Sequence, residues 1–271
     1  AAAYGLRELR SRSDTEVLLR LFAAQGLACL PALNGMFAFA LHDRVARKLW
    51  LVRDRFGIKP LYYRIDPRGL AFASEIKAIL ALQADMPACD TAALHEWLYY
   101  GATLGGRTLY AGIQQLQPGC CLEFDVDGGT HRVHRYFSFQ AAAGRAMPTG
   151  DSAARVRELL EQAVSRQLVS DVPVGVFLSG GVDSSAILAA MRRHTRGDLI
   201  AYAVGFRGQD QRYEFAPDDI QYARMMRDRT ADLDYNEIIV QPNVAELLPK
   251  MVWHMDEPVA DAAAISTYLI C

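Results

Sequence analysis

The sequence lacks both a dominant charge and any long uninterrupted apolar stretch. Its 29 Lys and Arg residues nearly balance 31 Asp and Glu residues, which gives a formal net charge of −2 at pH 7. Such a balance does not favour nucleic acid or an anionic membrane surface as a partner. No apolar run approaches the roughly 20 residues that a membrane span needs, and no secretory signal pattern opens the chain. We therefore expect a cytoplasmic protein that binds neither membrane nor nucleic acid.

Cysteine is scarce and is not spaced for a structural zinc site. The five Cys residues are odd in number and include no C-x-x-C pair. A disulfide framework is not expected, and a reducing compartment fits this usage. His131 and His134 would share a face only on a helix, whereas their segment has the pattern of a strand. We interpret both as surface residues.

The first half of the sequence alternates short β-rich segments with turn signals. Ser13 and Glu16 fit a capping box, which predicts a helix over 14–25. Strands are then expected at 36–41, 48–53, 61–65 and 70–73, short helices at 75–82 and 91–100, and a hairpin of 120–126 with 131–137. This spacing predicts an antiparallel meander. We assign residues 1–139 to a first domain.

The pattern changes after a small, turn-rich stretch at 140–150, which is the predicted linker. Residues 151–271 then form the predicted second domain, in which helices alternate with continuous apolar strands. A helix is expected at 153–169, with an apolar stripe that includes Val156 and Leu159. Further helices are expected at 217–229 and 244–255, and buried strands at 174–178, 199–206 and 234–240. This alternation predicts a doubly wound parallel sheet that binds its ligand at the carboxyl ends of the strands.

A turn of small residues, S-G-G-V-D-S-S at 179–185, joins the first of these strands to a helix. Unpaired N–H groups of the helix, two Cβ-free glycines and several hydroxyls would form a nest for phosphate. The Lys of the G-x-x-x-x-G-K-[ST] loop is lacking. Asp183 stands in the turn instead, and it would repel phosphate unless a divalent cation lay between them. We predict phosphate bound with magnesium; an ordinary strand–turn–helix with a serine cap is the alternative.

The S-G-G-V-D-S turn resembles the pyrophosphate loop of the ATP-pyrophosphatase superfamily, whose members adenylate a carboxyl or carbonyl oxygen. Earlier segments resemble the class II glutamine amidotransferase domain of glutamine-hydrolysing asparagine synthetase: S-D-T-E-V at 13–17, N-G-M-F-A at 34–38, R-D-R-F-G-I-K-P-L-Y-Y at 53–63 and F-A-S-E-I-K-A at 72–78. Later segments resemble its synthetase domain: D-V-P-V-G at 171–175, Y-A-V-G-F at 202–206 and D-E-P at 256–258. On the residues alone, 53–63 is better explained as a loop fixed by Arg–carboxylate bonds.

The resemblance implies an N-terminal nucleophile-type αββα sandwich followed by a doubly wound ATP-pyrophosphatase domain, both incomplete. It implies ATP, Mg²⁺, glutamine and aspartate or another carboxylate as ligands. Asp14 would bind the α-amino group of glutamine, although a role at the helix dipole is equally open. The implied ATP contacts are Leu178, Ser179, Gly180, Gly181, Asp183, Ser184, Ser185 and Val204.

The same resemblance implies that Asp183 is the catalytic residue and meets pyrophosphate through magnesium. Asp256, Glu257 and Asp261 are weaker candidates for the acceptor pocket, with helix capping as the alternative. The family's nucleophile is an N-terminal Cys, whereas residue 1 here is Ala, so we nominate none of the Cys residues.

We expect the chain to be a piece of a longer protein and to be inactive alone. The nucleophile, a glutamine-clamping Arg and an N-G-E-x-Y-N segment would precede it, and an S-G-E-G-x-D-E segment would follow it. The implied reaction is ATP-dependent asparagine synthesis through an acyl-adenylate, with release of AMP and pyrophosphate. Another carboxylate acceptor, in polysaccharide or peptide tailoring or lactam formation, is one alternative, and a non-catalytic ATP-binding or scaffold protein is another. The sequence leaves open whether the protein forms a homodimer and whether free ammonia can replace glutamine.

Overall fold

The chain forms two compact units. The computed structural model describes residues 9–11, 13–138, 149–206, 219–240, 243–261 and 263–270. The first compact unit comprises Ala1–Ala141 together with Val252–Ala260, and the second comprises Ala142–Met251 with Asp261–Cys271. Most of the predicted linker lies outside the described residues, and its last two residues, Thr149 and Gly150, are helical. The inclusion of Val252–Ala260 in the first unit was not foreseen from the sequence.

The first unit contains two antiparallel sheets and three α-helices among its described residues before position 139. Its elements in chain order are α1 (Asp14–Gln25), a 3₁₀ helix (Gly26–Ala32), β1 (Ala38–Asp43), β2 (Lys48–Arg53), β3 (Tyr62–Asp66), β4 (Gly69–Ala73), α2 (Ile76–Leu80), α3 (Thr91–Tyr100), β5 (Gln114–Gln115), β6 (Cys120–Asp125) and β7 (His131–Arg135). One sheet has the order β1-β2-β6-β7, and the other has the order β4-β3-β5.

Alternate side chains along these strands enter different cores. Leu51 and Leu122 pack with Leu61 and Tyr63 between the two sheets. The neighbouring Val52 and Cys121 point the other way and pack against α1 and the 3₁₀ helix. On the outer face of the second sheet, a further cluster joins Tyr62, Ala71 and Ala73 to Ile76 and Ile79 of α2. Because strand side chains alternate between faces, these clusters define the layers α–β–β–α, as predicted.

The second unit is a parallel α/β structure. Its elements are α4 (Thr149–Gln167), β8 (Gly175–Phe177), α5 (Val182–His194), β9 (Leu199–Phe206), α6 (Asp219–Arg229), β10 (Leu233–Val240), most of α7 (Val244–Met255) and α8 (Ala263–Ile270). The strands are all parallel in the order β10-β9-β8. Side chains of α4, α5 and α6 pack on the face of β9 that carries Leu199, Ala201 and Ala203. Nowhere in the described ranges is a helix long and apolar enough to cross a membrane.

Three local expectations were wrong. The strands do not form one meander, because β2 pairs with β6 across a long stretch of sequence while β3 belongs to the other sheet. Strand β8 is not fully buried as expected. Within the described ranges it pairs with β9 alone, and Phe177 is 53% exposed because the side chains of α4–α6 pack on the opposite face of the sheet. The apolar stripe expected on α4 is narrower, since Val156 and Leu159 are exposed.

Candidate functional site

The small-residue turn lies at the carboxyl end of β8 and at the amino end of α5, as predicted. Strand β8 ends at Phe177, and the N–H of Leu178 still donates to the carbonyl of Tyr202 on β9 at 2.8 Å. Helix α5 begins at Val182, with Gly181 as its N-cap residue. The turn from Ser179 to Gly181 is therefore fixed on one side by the sheet and on the other by the helix. Ligands of open parallel sheets bind at this kind of edge.

The turn gathers N–H and hydroxyl donors, some of which already bond within it: the Gly181 N–H donates to the Ser179 Oγ atom at 3.3 Å. The N-cap residue Gly181 has no side chain, so it cannot cap the first N–H groups of α5. The hydroxyls of Ser179 and Ser184 lie 3.1 Å apart, and the Ser184 hydroxyl is also within 3.2 Å of the Gly181 carbonyl. Hydroxyls and N–H groups thus converge where the helix dipole is positive, which is the arrangement that binds phosphate.

Close packing requires glycine at position 180 and leaves little room for a side chain at position 205. Gly180 has φ +77°, and a Cβ atom there would lie 2.4 Å from the Tyr222 Cβ and from the Ala223 nitrogen of α6. At Gly205 a Cβ atom would lie 2.3 Å from the Ile220 Cδ1 atom. Helix α6 therefore packs directly behind the turn and holds its backbone in a conformation that L side chains rarely adopt.

The other predicted ATP contacts surround the turn to different extents. Leu178 is fully buried beneath it, whereas Val204 lies on β9, two residues beyond Tyr202. Ser185 is already inside the helix, where its N–H donates to the Gly181 carbonyl at 3.0 Å. Asp183 is exposed in the first turn of α5. The assignment of these residues to ATP binding stays a prediction.

The oxygen donors at the turn suit magnesium only when phosphate supplies further ligands. The Asp183 carboxylate and the serine hydroxyls are hard oxygen ligands of the kind that Mg²⁺ prefers. In the part of the chain that the structure describes, no group of three or more His, Cys, Asp or Glu side chains could hold a metal ion by itself. The residues present therefore fit a metal bound jointly by the protein and a nucleotide, with Asp183 as its protein carboxylate.

A second candidate site is a cavity of about 730 Å³ in the first unit. Helix α1 contributes Asp14, Thr15, Val17 and Leu18 to its wall, and the segment before β1 contributes residues 33–37. Lys59, Pro60 and Ser74 line it from the β3–β4 side. Two of the sequence motifs, at 13–17 and 34–38, are thereby brought together around one space large enough for an amino acid.

Asp14 is exposed at the start of α1, where its carboxylate accepts the Thr15 N–H at 2.7 Å. Ser13 caps α1, because its Oγ atom accepts the Thr15 N–H at 3.2 Å. The reciprocal bond of a capping box is not formed, because the Glu16 carboxylate accepts the N–H groups of Arg10 and Ser11 instead of that of Ser13. Bonds from Arg10 and Ser11 lower the Glu16 pKa to about 2. Among the described residues, the hydrogen bonds to Asp14 all end on its Oδ1 atom, which is compatible with either of its two predicted roles.

The loop that presents Lys59 to the cavity is held by two buried charged residues that do not bond each other. Asp54 accepts the N–H groups of Phe56, Ile58 and Lys59 at 3.0–3.1 Å. Arg53 donates to the carbonyls of Gly57, Lys59 and Leu116. Burial opposes ionisation of Asp54, but these backbone bonds hold its pKa below the ordinary value; burial lowers the Arg53 pKa. The expected Arg–carboxylate bonding was wrong, because each charge satisfies backbone groups of the loop instead.

The three acidic candidates for an acceptor pocket are engaged by backbone groups. Asp256 is buried and accepts the Ile76 N–H at 2.6 Å. Glu257 accepts the Leu109 N–H, and burial raises its pKa. Asp261 accepts the Ala263 N–H at 2.9 Å at the start of α8. The alternative for these residues was that they cap the helix that follows, and this describes Asp261. Asp256 instead caps α2, which is far away in sequence.

Two family models of known proteins match consecutive parts of the chain. A family model described as a glutamine amidotransferase domain matches residues 3–137, and one described as asparagine synthase matches residues 155–271. Asparagine synthetase [glutamine-hydrolyzing] 3 of Bacillus subtilis is 35% identical over 93% of this chain, and asparagine synthetase [glutamine-hydrolyzing] 1 of the same organism is 33% identical over 95%. Amidase chry2 of Gibberella zeae is 34% identical over 67% of the chain.

The chain spans well under half the length of these relatives, covering 43% and 39% of the two Bacillus subtilis proteins and 27% of the amidase. Both family models, in this order, account for nearly all of the chain. The layered first unit with its amino-acid-sized cavity and the parallel second unit with its phosphate-type turn agree with them. The chain belongs to the glutamine-hydrolysing asparagine synthetase family, in which a glutamine amidotransferase domain precedes an asparagine synthase domain.

Proposed function

We propose that this chain is part of a ligase that forms an amide from a carboxylate, ATP and glutamine. The observation that carries the proposal is the turn at the amino end of α5, which combines uncapped helix N–H groups, converging serine hydroxyls and the exposed carboxylate of Asp183. A loop of that chemistry suits the pyrophosphate of ATP with its metal ion better than it suits a neutral ligand.

The proposed reaction has two parts. Glutamine binds in the cavity of the first unit and is hydrolysed to glutamate and ammonia, with Asp14 holding its α-ammonium group. In the second unit a carboxylate oxygen of the acceptor attacks the α-phosphorus of ATP, and the bond to the bridging oxygen of pyrophosphate breaks. Ammonia then attacks the acyl carbon of the adenylate, loses a proton and expels AMP.

The turn would lower the barrier of the adenylation step. Negative charge grows on the departing pyrophosphate, and the uncapped N–H groups and the helix dipole stabilise that charge where it develops. Magnesium, when bound, would add Lewis-acid stabilisation of the same oxygens. The role of Asp183 is to hold the metal at the turn, and that of Ser179 and Ser184 is to donate to phosphate oxygens.

We propose the side chain of aspartate as the acceptor, because the second family model and both Bacillus subtilis relatives carry the name asparagine synthase or synthetase. The match to a fungal protein named amidase supports a second candidate, in which the same activation chemistry serves another carboxylate. An assay of AMP formation by the full-length protein across carboxylate acceptors separates the two. Turnover with aspartate alone would exclude the second candidate.

The decisive variant is Asp183→Ala in the full-length protein that contains this chain. We expect acceptor-dependent release of pyrophosphate to be abolished, with ammonium or with glutamine as the nitrogen source. Asp198→Ala is the matched control, because Asp198 is also exposed but precedes the amino end of β9. Near-normal pyrophosphate release by the Asp183 variant would overturn the assignment of the turn.

A further inference from the structure

The segment Val252–Ala260 is contributed to the first unit by a part of the chain that the asparagine synthase model covers. Its contacts there are specific. The Trp97 indole N–H donates to the Pro258 carbonyl at 2.8 Å, and the Tyr110 hydroxyl donates to the Asp256 carbonyl at 3.2 Å. Glu257 accepts the Leu109 N–H. Trp97, Leu109 and Tyr110 are half-buried, so these hydrogen bonds pack the segment into the first unit, unlike a loop that only crosses the surface.

Asp256 acts as the cap of helix α2. Glu75, the residue at the N-cap position, makes no capping bond with its own side chain. The Asp256 carboxylate accepts the Ile76 N–H at 2.6 Å and the Lys77 N–H at 3.1 Å, and it forms an ion pair with the Lys77 ammonium at 3.0 Å. Asp256 is buried and has φ +66°. Strained backbone at a non-glycine residue persists only where surrounding contacts fix it.

The capped helix adjoins the wall of the cavity in the first unit. Ser74 lines that cavity and lies two residues before Ile76. Ala73, the residue before Ser74, pairs with Tyr62 in the β3–β4 ladder. Pro60, two residues before Tyr62, also lines the cavity. The position of Ser74 is therefore set by the ladder before it and by the Asp256 cap after it.

We propose that Asp256 is a positioning residue for the glutamine site rather than a ligand of the acceptor. By capping α2 it fixes the Ser74 edge of the cavity, so a residue from the synthetase part of the sequence shapes the site where glutamine binds. This inference rests on the proposed function, because it takes the cavity to be the glutamine site.

The test is Asp256→Asn in the full-length protein. Asn tolerates positive φ and keeps one acceptor oxygen, so the backbone can be retained while the charge and one bond are lost. We expect the KM for glutamine in glutamine hydrolysis to rise about tenfold, the equivalent of about 1.4 kcal/mol. Pyrophosphate release with ammonium, and the KM for the acceptor in that reaction, should stay within about twofold of wild type.

Asp90→Asn is the matched control, since Asp90 caps α3 in the same unit with hydrogen bonds from Ala92 and Ala93 and does not line the cavity. It should leave the glutamine KM unchanged. Hydrogen exchange provides a readout that needs no activity: the amide of Ile76 or of Lys77, whichever faces the new amide nitrogen, should lose protection in the Asp256 variant alone.

A raised acceptor KM with unchanged glutamine hydrolysis would overturn the inference and return Asp256 to the acceptor pocket. Unchanged kinetics in both reactions would also overturn it. If Asp256→Asn does not fold, Lys77→Gln replaces it, with a rise of about threefold in glutamine KM expected and no rise overturning the proposal. Wild-type protein without glutamine hydrolysis would instead refute the proposed function, which keeps the two failures distinct.

Discussion

Gly180 and Tyr222 approach each other so closely that no side chain fits between them. A Cβ atom on Gly180 would lie 2.4 Å from the Tyr222 Cβ, and the φ of Gly180 is +77°. Both the contact and the backbone conformation therefore exclude other residues, and the turn before α5 keeps its shape only while α6 stays in place.

Gly180→Ala should consequently destabilise the second unit and weaken nucleotide binding. We expect a loss of about 2–4 kcal/mol of unfolding free energy, because the methyl group meets backbone rather than a flexible side chain. Gly181→Ala is the comparison, since a Cβ there would lie 3.4 Å from the Ser179 Oγ and its φ is −64°. Chemical denaturation and calorimetric titration with ATP and Mg²⁺ measure both effects. Equal losses in the two variants would show that the α6 contact is unimportant.

Local periodicity was enough to predict many elements, and α1, β2, α3 and α7 have the bounds expected from the sequence. What it could not predict was which strands pair over long separations, because the same alternating pattern fits a neighbour in sequence or a distant strand. Strand β2 pairs with β6 rather than with β3, because the chain passes through the loop held by Arg53 and Asp54 into the other sheet before β3 begins.

The candidate sites divide in the same way. The phosphate-type turn is a contiguous motif, so residues 179–185 could be placed correctly at a strand end and a helix start. The cavity around Asp14 and the cap by Asp256 depend on residues distant in sequence; the carboxylate of Asp256 lies 180 positions from the N–H that it accepts. The sequence around Asp256 does not distinguish a residue that caps a distant helix from one that binds the acceptor. The cap becomes visible only in the three-dimensional structure.

The loop at Arg53 and Asp54 should be a major source of stability in the first unit. Asp54→Ala leaves the N–H groups of Phe56, Ile58 and Lys59 without their buried acceptor, and we expect a loss of about 3 kcal/mol or more. Asp54→Asn should cost less, since one amide oxygen can still accept. Urea denaturation of both variants beside wild type measures the difference, and a change under about 0.5 kcal/mol in Asp54→Ala would contradict this account.

The same carboxylate predicts a pH dependence with a definite sign. The pKa of Asp54 is held below its ordinary value of 3.8, so the native state binds fewer protons at this residue than the unfolded state does. Its contribution to stability is therefore present above pH 3.8 and is lost as the pH falls through the native pKa. The stability gap between wild type and Asp54→Asn should shrink below pH 3.8. A gap that widened with acid would refute the assignment.

The cysteines offer a direct test of the layered core. Cys29, Cys120 and Cys121 are buried. Burial raises the thiol pKa of Cys29 and Cys120, and it raises that of Cys121 to about 12. Only the thiolate attacks a disulfide reagent, so these three should react slowly in native protein, whereas Cys89 is exposed and should react quickly.

With Cys271 replaced by Ser, titration with an aromatic disulfide should give one fast thiol, removed by Cys89→Ser, and three more on unfolding. Rapid modification of Cys121 in native protein would mean that the face of β6 packed against α1 is open to solvent, contrary to the αββα arrangement.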